Sequence, residues 1–289
     1  MISFRYHVVT IVAVFLALGL GLLAGSSFGQ PALVAQLRER TDAQLARIDE
    51  LRAEADALDA RNGSLEAFAA AATPFLIDGR LGGFRVVVVT QEGVEPATER
   101  SALESLADAG AEIAMTLSLQ PTLVPTTPAD AQALAALVGG SDPGTALAAR
   151  LGVPVAPAAV DDLLVALVDG GFLATRSVGL DEAARSLVHG GSDLLVVVLG
   201  GAPAGEQPLA TRGVASALVA ALLVQGIPVA AAEGSLPADP WVDGLGGDAL
   251  VTVVGLDDSP GGAALVLGLR DRVLTGRGGA YGTAAAPLP

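Results

Sequence analysis

The sequence contains no cysteine and no lysine, and it has only two histidines and two methionines in 289 residues. Without cysteine the chain can form no disulfide, no thiolate metal site and no cysteine nucleophile. Soft metal sites for copper or zinc need thiolate, thioether or imidazole ligands, so one copy of this chain does not supply a site of the usual kind. The missing thiols leave the compartment open, because a thiol-free domain works in either redox environment.

The few residues that could bind a metal or transfer a proton are each explained by local structure. His7 lies at the start of an apolar run, Met115 lies inside a predicted strand, and His189 lies beside a glycine at a predicted helix end. Two acidic pairs, at residues 161–162 and 257–258, fit helix N-caps and first-turn acids as well as they fit a hard-cation site. We therefore assign no catalytic, cofactor-binding or metal-binding residue, expect no cofactor, and predict that the protein is not an enzyme.

Positive charge is also scarce. The formal net charge is −15, and the 16 basic residues are all arginine. A chain without a basic patch cannot neutralise a phosphate backbone, so nucleic-acid binding is disfavoured. The exclusive use of arginine, together with abundant alanine, glycine and valine, is typical of a GC-rich genome and suggests a high-GC bacterium.

The chain has no phosphate-binding motif and no nucleophile motif in the structural context that such a motif needs. The segment LGGAPAGEQ follows a predicted strand, but its glycines at 200, 201 and 205 fit neither G-x-G-x-x-G nor G-x-x-x-x-G-K-[ST]. We interpret this segment as a turn ahead of a helix. The residues GSSFG at 25–29 match G-x-S-x-G, but they end the N-terminal apolar run and follow no predicted strand, so they do not form a nucleophile elbow.

One long apolar run is present at the N-terminus. Residues 8–28 contain no charged residue and would span roughly 30 Å as a helix, which is enough to cross a bilayer. A cleaved secretory signal is the alternative, since Arg5 precedes the run and small residues end it, but the run exceeds a usual signal core and no A-x-A site follows. We predict a retained single-pass anchor with a short cytoplasmic tail and the bulk of the chain outside. Gly21 and Gly25 form a small-xxx-small pair that permits close packing of membrane helices.

A seven-residue apolar period follows the anchor. It predicts a coiled-coil helix over residues 31–72, roughly 50 Å long, with Leu at most d positions and a polar Asn62 at an a position. A parallel homodimer would oppose Arg47 to Arg52 and Glu54 to Asp59, so an antiparallel pair, a different partner helix, packing onto the globular part, or a plain solvated linker helix stay open. The predicted association residues on the anchor and this helix are Gly21, Gly25, Leu37, Ile48, Leu51, Leu58, Asn62 and Leu65.

From residue 83 onward, short apolar runs alternate with helical patterns. The strands are predicted at 84–90, 111–119, 193–201, 227–234 and 249–255, and the helices near 97–109, 128–138, 160–168, 181–189, 211–225 and 261–275. Several strands are apolar without alternation, which is typical of strands buried on both faces. The pattern predicts a doubly wound, mainly parallel, Rossmann-like α/β domain over residues 83–275.

Two regions break this alternation. Residues 120–178 contain no convincing strand, and we expect a helical insertion or lid there. Residues 276–289 are rich in glycine, alanine and proline, and we expect an extended or disordered tail. The predicted organisation is therefore an anchor over 1–29, a coiled-coil helix over 31–72, the α/β domain over 83–275 and the tail.

The two ends of the chain closely resemble a known family. The opening MISFRYHVVTIVAVFLALGLGLLAGS, the leucine-rich segment, and the ending VVGLDDSPGGAALVLGLRDRVLTGRGGAYGT are similar to the actinobacterial copper-transport MctB family. The resemblance implies a cell-envelope protein with an N-terminal membrane segment and a role in copper homeostasis, described for some members as an outer-membrane channel. Related proteins called SteB imply a partner, SteA, and work at the septum.

Two functions follow from these observations. The resemblance implies a membrane component of copper homeostasis or transport, with a copper ion as its cargo. Residue chemistry favours a non-enzymatic scaffold, anchored in membrane lipid, whose coiled coil joins further copies or recruits an envelope or septum protein. One apolar segment cannot form a pore by itself, so copper passage would need an oligomer or a partner.

Overall fold

The computed structural model describes residues 4–28, 30–140, 142–151, 162–175, 193–203, 207–235 and 240–282. The chain divides into two compact units, Met1–Leu65 and Glu66–Pro289. The first unit is helical, and the second contains a mixed α/β arrangement around one sheet.

Two helices make up the described part of the first unit, and the second of them continues past Leu65. Helix α1 spans Phe4–Phe28, and helix α2 spans Gln30–Ile77. The side chains of α1 are mostly apolar, and a helix satisfies the backbone hydrogen bonds of such a segment internally. In α2 the abundant Ala, Leu, Glu, Gln and Arg favour helix throughout, and the helix continues through Gly63.

The second unit alternates helices with strands. Its elements are β1 (Arg85–Gln91), α3 (Pro96–Asp108), β2 (Glu112–Leu119), a 3₁₀ turn (Pro121–Leu123), α4 (Pro128–Val138), α5 (Pro143–Leu151), α6 (Asp162–Asp169), β3 (Leu173–Thr175), β4 (Leu194–Gly200), α7 (Arg212–Val224), β5 (Val229–Glu233), a second 3₁₀ turn (Val242–Gly244), β6 (Val251–Val254), α8 (Ser259–Thr275) and β7 (Gly279–Gly282).

The strands form one sheet in the order β3-β2-β1-β4-β5-β6-β7. Only the β2–β3 pair is antiparallel among the described strand pairs, and the other neighbours run parallel. The prediction of a mixed α/β fold with a mainly parallel sheet is therefore confirmed. Strand β1 lies between β2 and β4. In chain order, β2 and β3 are therefore added on one side of β1, and β4 to β7 on the other.

Successive residues of the central strands enter two separate cores. In β1, Val87 and Val89 join one apolar cluster while Val86 and Val88 join the other. The first cluster contains residues of α4, α5, α6 and α7, and the second contains residues of α3 and α8. Helices therefore bury both faces of the central strands, which is why their sequences are continuously apolar.

Two strands were missed by the sequence prediction. The region 120–178, expected to lack a strand, contains the short antiparallel edge strand β3, whose three residues are too few for a recognisable alternation. The supposedly extended or disordered tail begins with β7, which pairs with β6 and buries Tyr281. Glycine is depleted in strands, but here a Cβ at Gly282 would collide with the Val254 carbonyl oxygen. The helix predicted at 181–189 lies outside the described residues.

Candidate functional site

The apolar stripe predicted for association lies exposed along α2. Leu37, Ile48, Leu51, Leu58 and Leu65 have between 42% and 58% of their surface exposed, and Asn62 is exposed beside them. Exposed leucines at this spacing are typical of a helix that packs against another helix. Packing of α2 against a partner helix would bury these leucines.

Helix α1 carries the other predicted association residues. Its segment Arg5–Ala24 has a mean hydropathy of 2.4 and is the one helix of the described residues long and apolar enough to cross a membrane. Gly21 lies in this segment, and an added Cβ there would meet no atom within 4 Å. Gly25 lies on the same helix one turn later.

Candidate metal ligands are dispersed. Among the described residues no group of three or more His, Asp or Glu side chains could hold a metal ion. Met115 is only 1% exposed inside β2, so its sulfur packs in the core. His189 and Asp161 lie outside the described ranges.

The acidic pair at 257–258 has a structural role at the start of α8. Asp257 accepts hydrogen bonds from the backbone N–H of Ser235 at 2.5 Å and from its hydroxyl at 2.8 Å. Asp258 is the N-cap residue of α8. Burial raises the pKa of Asp258, and the neighbouring charges of Asp257 and Glu66 add to that rise. These contacts join the turn after β5 to the turn after β6.

A crevice lies at the carboxyl ends of β1, β4 and β5. In parallel sheets, ligands bind at the point where the strand order changes direction, and here that point falls between β1 and β4. Gly200 at the end of β4 pairs with Glu233 at the end of β5, and Thr90 of β1 pairs with Leu199. Gln91, Gly200 and Glu233 therefore form a row across three adjacent strands.

Gln91 is the first polar side chain in this row and is only 1% exposed. Its Oε1 atom accepts a hydrogen bond from the Thr211 hydroxyl at 3.4 Å, and its Nε2 atom is buried without an acceptor among the described residues. Gly200 makes room for this amide, because a Cβ there would collide with Gln91 Nε2 and with the Trp241 ring. Buried polar atoms normally have partners, so an unpaired donor here needs an explanation.

Glu233 is the second polar side chain and is fully buried. Its Oε2 atom accepts hydrogen bonds from the backbone N–H groups of Trp241 at 2.8 Å and Val242 at 3.3 Å. Its Oε1 atom has no hydrogen-bond partner in the described part of the chain. Burial raises the pKa of Glu233 above its ordinary value, although the two backbone bonds and the charge of Arg212 oppose the rise.

Trp241 and Arg212 close one side of the crevice. The Trp241 indole donates to the Ser216 hydroxyl at 3.0 Å, and Arg212 donates to the Pro240 carbonyl oxygen at 3.1 Å. A small cavity of about 10 Å³, enough for about one water molecule at most, lies against them. Its lining residues are Gln91, Gly201, Ala202, Pro208, Leu209, Arg212 and Trp241.

Gln91, Glu233 and Trp241 were not predicted as site residues from the sequence. The available signals were a polar residue at the end of an apolar strand, in VVVVTQ and VAAAE, and the single tryptophan of the chain. Of the segment that we interpreted as a turn before a helix, Gly201 and Ala202 line this crevice, and α7 follows later in the chain.

Comparison with known proteins gives similarity along the whole chain. The family model described as "Copper transport outer membrane protein, MctB" matches residues 1–287. The protein "Copper transporter MctB" of Mycobacterium tuberculosis (strain ATCC 25618 / H37Rv) is 29% identical over 315 residues, covering 98% of this chain and 96% of the relative. The protein of the same name in Mycobacterium leprae (strain TN) is 28% identical over 312 residues, again covering 98% and 96%.

Proposed function

Because the chain belongs to the MctB family, we propose that it is a membrane-anchored cell-envelope protein with a role in copper homeostasis or transport. The observation that carries this proposal is the match of the family model to residues 1–287, from the anchor to the last strand. Relatives named as copper transporters match at 28% to 29% identity over nearly their full length, which supports the same role.

The N-terminal helix α1 bears on where the protein acts. We propose that α1 stays attached in the mature protein and crosses the membrane once, with Arg5 and the amino terminus on the cytoplasmic side. Arg38 and Arg40 on the other side weaken the charge asymmetry that sets orientation.

The proposal also includes association of α2 with another helix. The exposed leucines of α2 support pairing as a coiled coil, either with further copies of this chain or with another protein. Copper has no cluster of soft ligands in the described residues, so we propose that the ion is handled by an assembly rather than by one copy. We also propose a doubly wound fold, which the strand order and the two cores support. A non-enzymatic role is a further part of the proposal.

A scaffold for a septum or envelope partner is the second candidate function. The α2 stripe favours it, because exposed leucines over this length serve association and have no direct use in copper coordination. In this function the acidic second unit would present a surface to the partner.

Gene deletion separates the two candidates. We expect a deletion strain to become hypersensitive to copper while its septa stay normal, and the full chain supplied in trans should restore tolerance. Abnormal septa with unchanged copper tolerance would support the scaffold and contradict the copper role. A matched strain carrying the chain without residues 1–29 tests whether the anchor is required.

A further inference from the structure

A groove of about 770 Å³ lies beside β7, at the opposite end of the strand order from β3. This volume falls within the roughly 300–1,000 Å³ that is usual for ligand sites. We propose that the groove binds an extended, basic segment of a partner protein, which pairs with the open edge of β7 as an added strand. Such binding depends neither on copper nor on association through α2.

Strand β7 offers unpaired backbone groups along its outer edge. Among the described strands only β6 pairs with it. The N–H of Gly279 donates to the Leu250 carbonyl oxygen at 3.0 Å, so the hydrogen-bonding groups of Gly279 are directed toward β6. Successive residues of a strand direct these groups to opposite sides, so the N–H and C=O of Ala280 are directed away from β6. Such an edge is a template for another strand, and extended peptides bind to sheet edges in this way.

The side chains of β7 do not protect this edge. The strand reads GAYG and contains no charged residue and no proline, which are two features that natural edge strands use against pairing. Its register with β6 is continuous over the whole strand. Because β7 has only four residues, the added strand would pair over a short length, and side-chain contacts in the groove would add to the binding.

The groove continues onto the face of β6 and β7 that α8 does not cover. Helix α8 packs on the other face, where Val251 and Val253 are fully buried. On the groove face Thr252 is half-buried and its strand partner Ala280 is exposed, and both line the groove. Leu250 adds apolar lining. An added strand could therefore place alternate side chains over this face.

The charged lining favours a basic segment. Asp248 and Asp271 line the groove, and neither carboxylate has a hydrogen bond or ion pair among the described residues. Burial raises the pKa of Tyr281, and the charge of Asp271 adds to that rise, which places this carboxylate beside β7. Arg277 is the basic member of the described lining and is exposed. The lining is therefore net negative, as is the whole chain at −15, and this field attracts a cationic partner.

Labelled synthetic peptides test the proposal on the full chain in detergent. The probe alternates valine and arginine over about six residues, the usual length of a strand, and has both ends blocked. One matched peptide carries glutamate in place of arginine, and another keeps the arginines but is N-methylated at every residue, so it cannot donate backbone hydrogen bonds. Fluorescence anisotropy measures binding. We expect saturable binding of the probe, and binding at least about tenfold weaker for both matched peptides, because each loses several favourable interactions.

Substitutions in the chain localise the binding. Ala280→Pro removes the outward N–H at a position where an edge strand tolerates proline, so binding should weaken by about tenfold or more. Asp248→Asn with Asp271→Asn should weaken binding independently, which keeps the test decisive if the proline variant folds poorly. Arg277→Gln removes a positive charge and should strengthen it. Asp169→Asn is the matched control, because Asp169 ends α6 beside β3 at the other edge of the sheet.

Three results would overturn the proposal. The first is no saturable binding of the arginine probe, and the second is equal binding of the N-methylated peptide, which would show attraction by surface charge alone. The third is unchanged binding in the folded Ala280→Pro protein and in the double aspartate variant. Sedimentation tests the other occupant: an associated mass that falls in Ala280→Pro, without peptide binding by the unmodified chain, would assign the edge to a second copy. None of these measurements uses copper, so their failure is distinguishable from failure of the copper role.

Discussion

Glu233 accepts the backbone N–H of Trp241 at 2.8 Å, so a buried carboxyl at the end of β5 holds the turn that covers the crevice. The same Oε2 atom also accepts the N–H of Val242, which begins a 3₁₀ turn. The indole then packs over Gly200 and reaches Ser216 on α7. One carboxyl thereby links β5, the turn at 240–244 and, through Trp241, helix α7.

The first prediction concerns the pH dependence of stability at Glu233. Its pKa is raised in the folded chain by burial, so the folded state holds the proton more tightly than the unfolded state. The resulting stability is fully present below the ordinary value of 4.5 and is lost as the pH rises through the folded-state pKa. Glu233→Gln keeps an acceptor for Trp241 and cannot ionise, so its stability should fall less over this range. Chemical denaturation at a series of pH values measures the free energy of unfolding of both proteins. If that free energy changed equally with pH in both, the raised pKa of Glu233 would be contradicted.

A second prediction concerns the space above Gly200. Gly200→Ala places a Cβ against the Trp241 ring and the Gln91 amide, so the free energy of unfolding should fall by about 1–3 kcal/mol, as for other overpacked sites. Gly213→Ala is the matched control on α7, where an added Cβ meets no atom within 4 Å. This control should be neutral or stabilising by up to about 1 kcal/mol. Equal effects of the two substitutions in denaturant melts would show that Trp241 does not occupy this space.

The α2 stripe gives a third prediction. Replacing both Leu51 and Leu58 with Asp places charge in the expected helix–helix seam, and an uncompensated buried charge is costly. The double variant should lose self-association or its protein partner while the α/β fold and membrane attachment persist. Sedimentation of the full chain in detergent measures the associated mass, and circular dichroism checks the fold.

Ala53→Asp with Ala60→Asp is the matched control for the stripe. These alanines lie two residues after Leu51 and Leu58, on a different face of the helix, so the control should associate like the unmodified chain. An unchanged mass for the leucine variant would mean that the stripe is a solvated face of a linker helix.

The retained anchor is the fourth prediction. Residues 8–28 are long enough to span a bilayer and are followed by no clear cleavage site, so the mature protein should keep its first residues. Mass spectrometry of the membrane fraction determines the N-terminus. A mature N-terminus near Ser27 would identify a cleaved signal instead.

The sequence predicts most helices and strands of the second unit, but it does not predict which side chains the fold brings together. The valine runs of β1 and β4 are recognisable because strands buried on both faces are continuously apolar. Strand β7 was missed because its glycines, which make room against β6, are typical of loops. The crevice was missed because its members lie far apart in the sequence, at residues 91, 212, 233 and 241, and only the strand order brings them to one edge.

The central claim, a membrane-anchored role in copper handling, is tested most directly by the copper content of cells. Elemental analysis would compare cell-associated copper in the deletion strain, in that strain carrying the full chain, and in that strain carrying the Leu51→Asp, Leu58→Asp variant. We expect deletion to raise cell-associated copper during copper exposure, the full chain to return it to the parental level, and the variant to fail. Equal copper content in the deletion and parental strains would contradict the account.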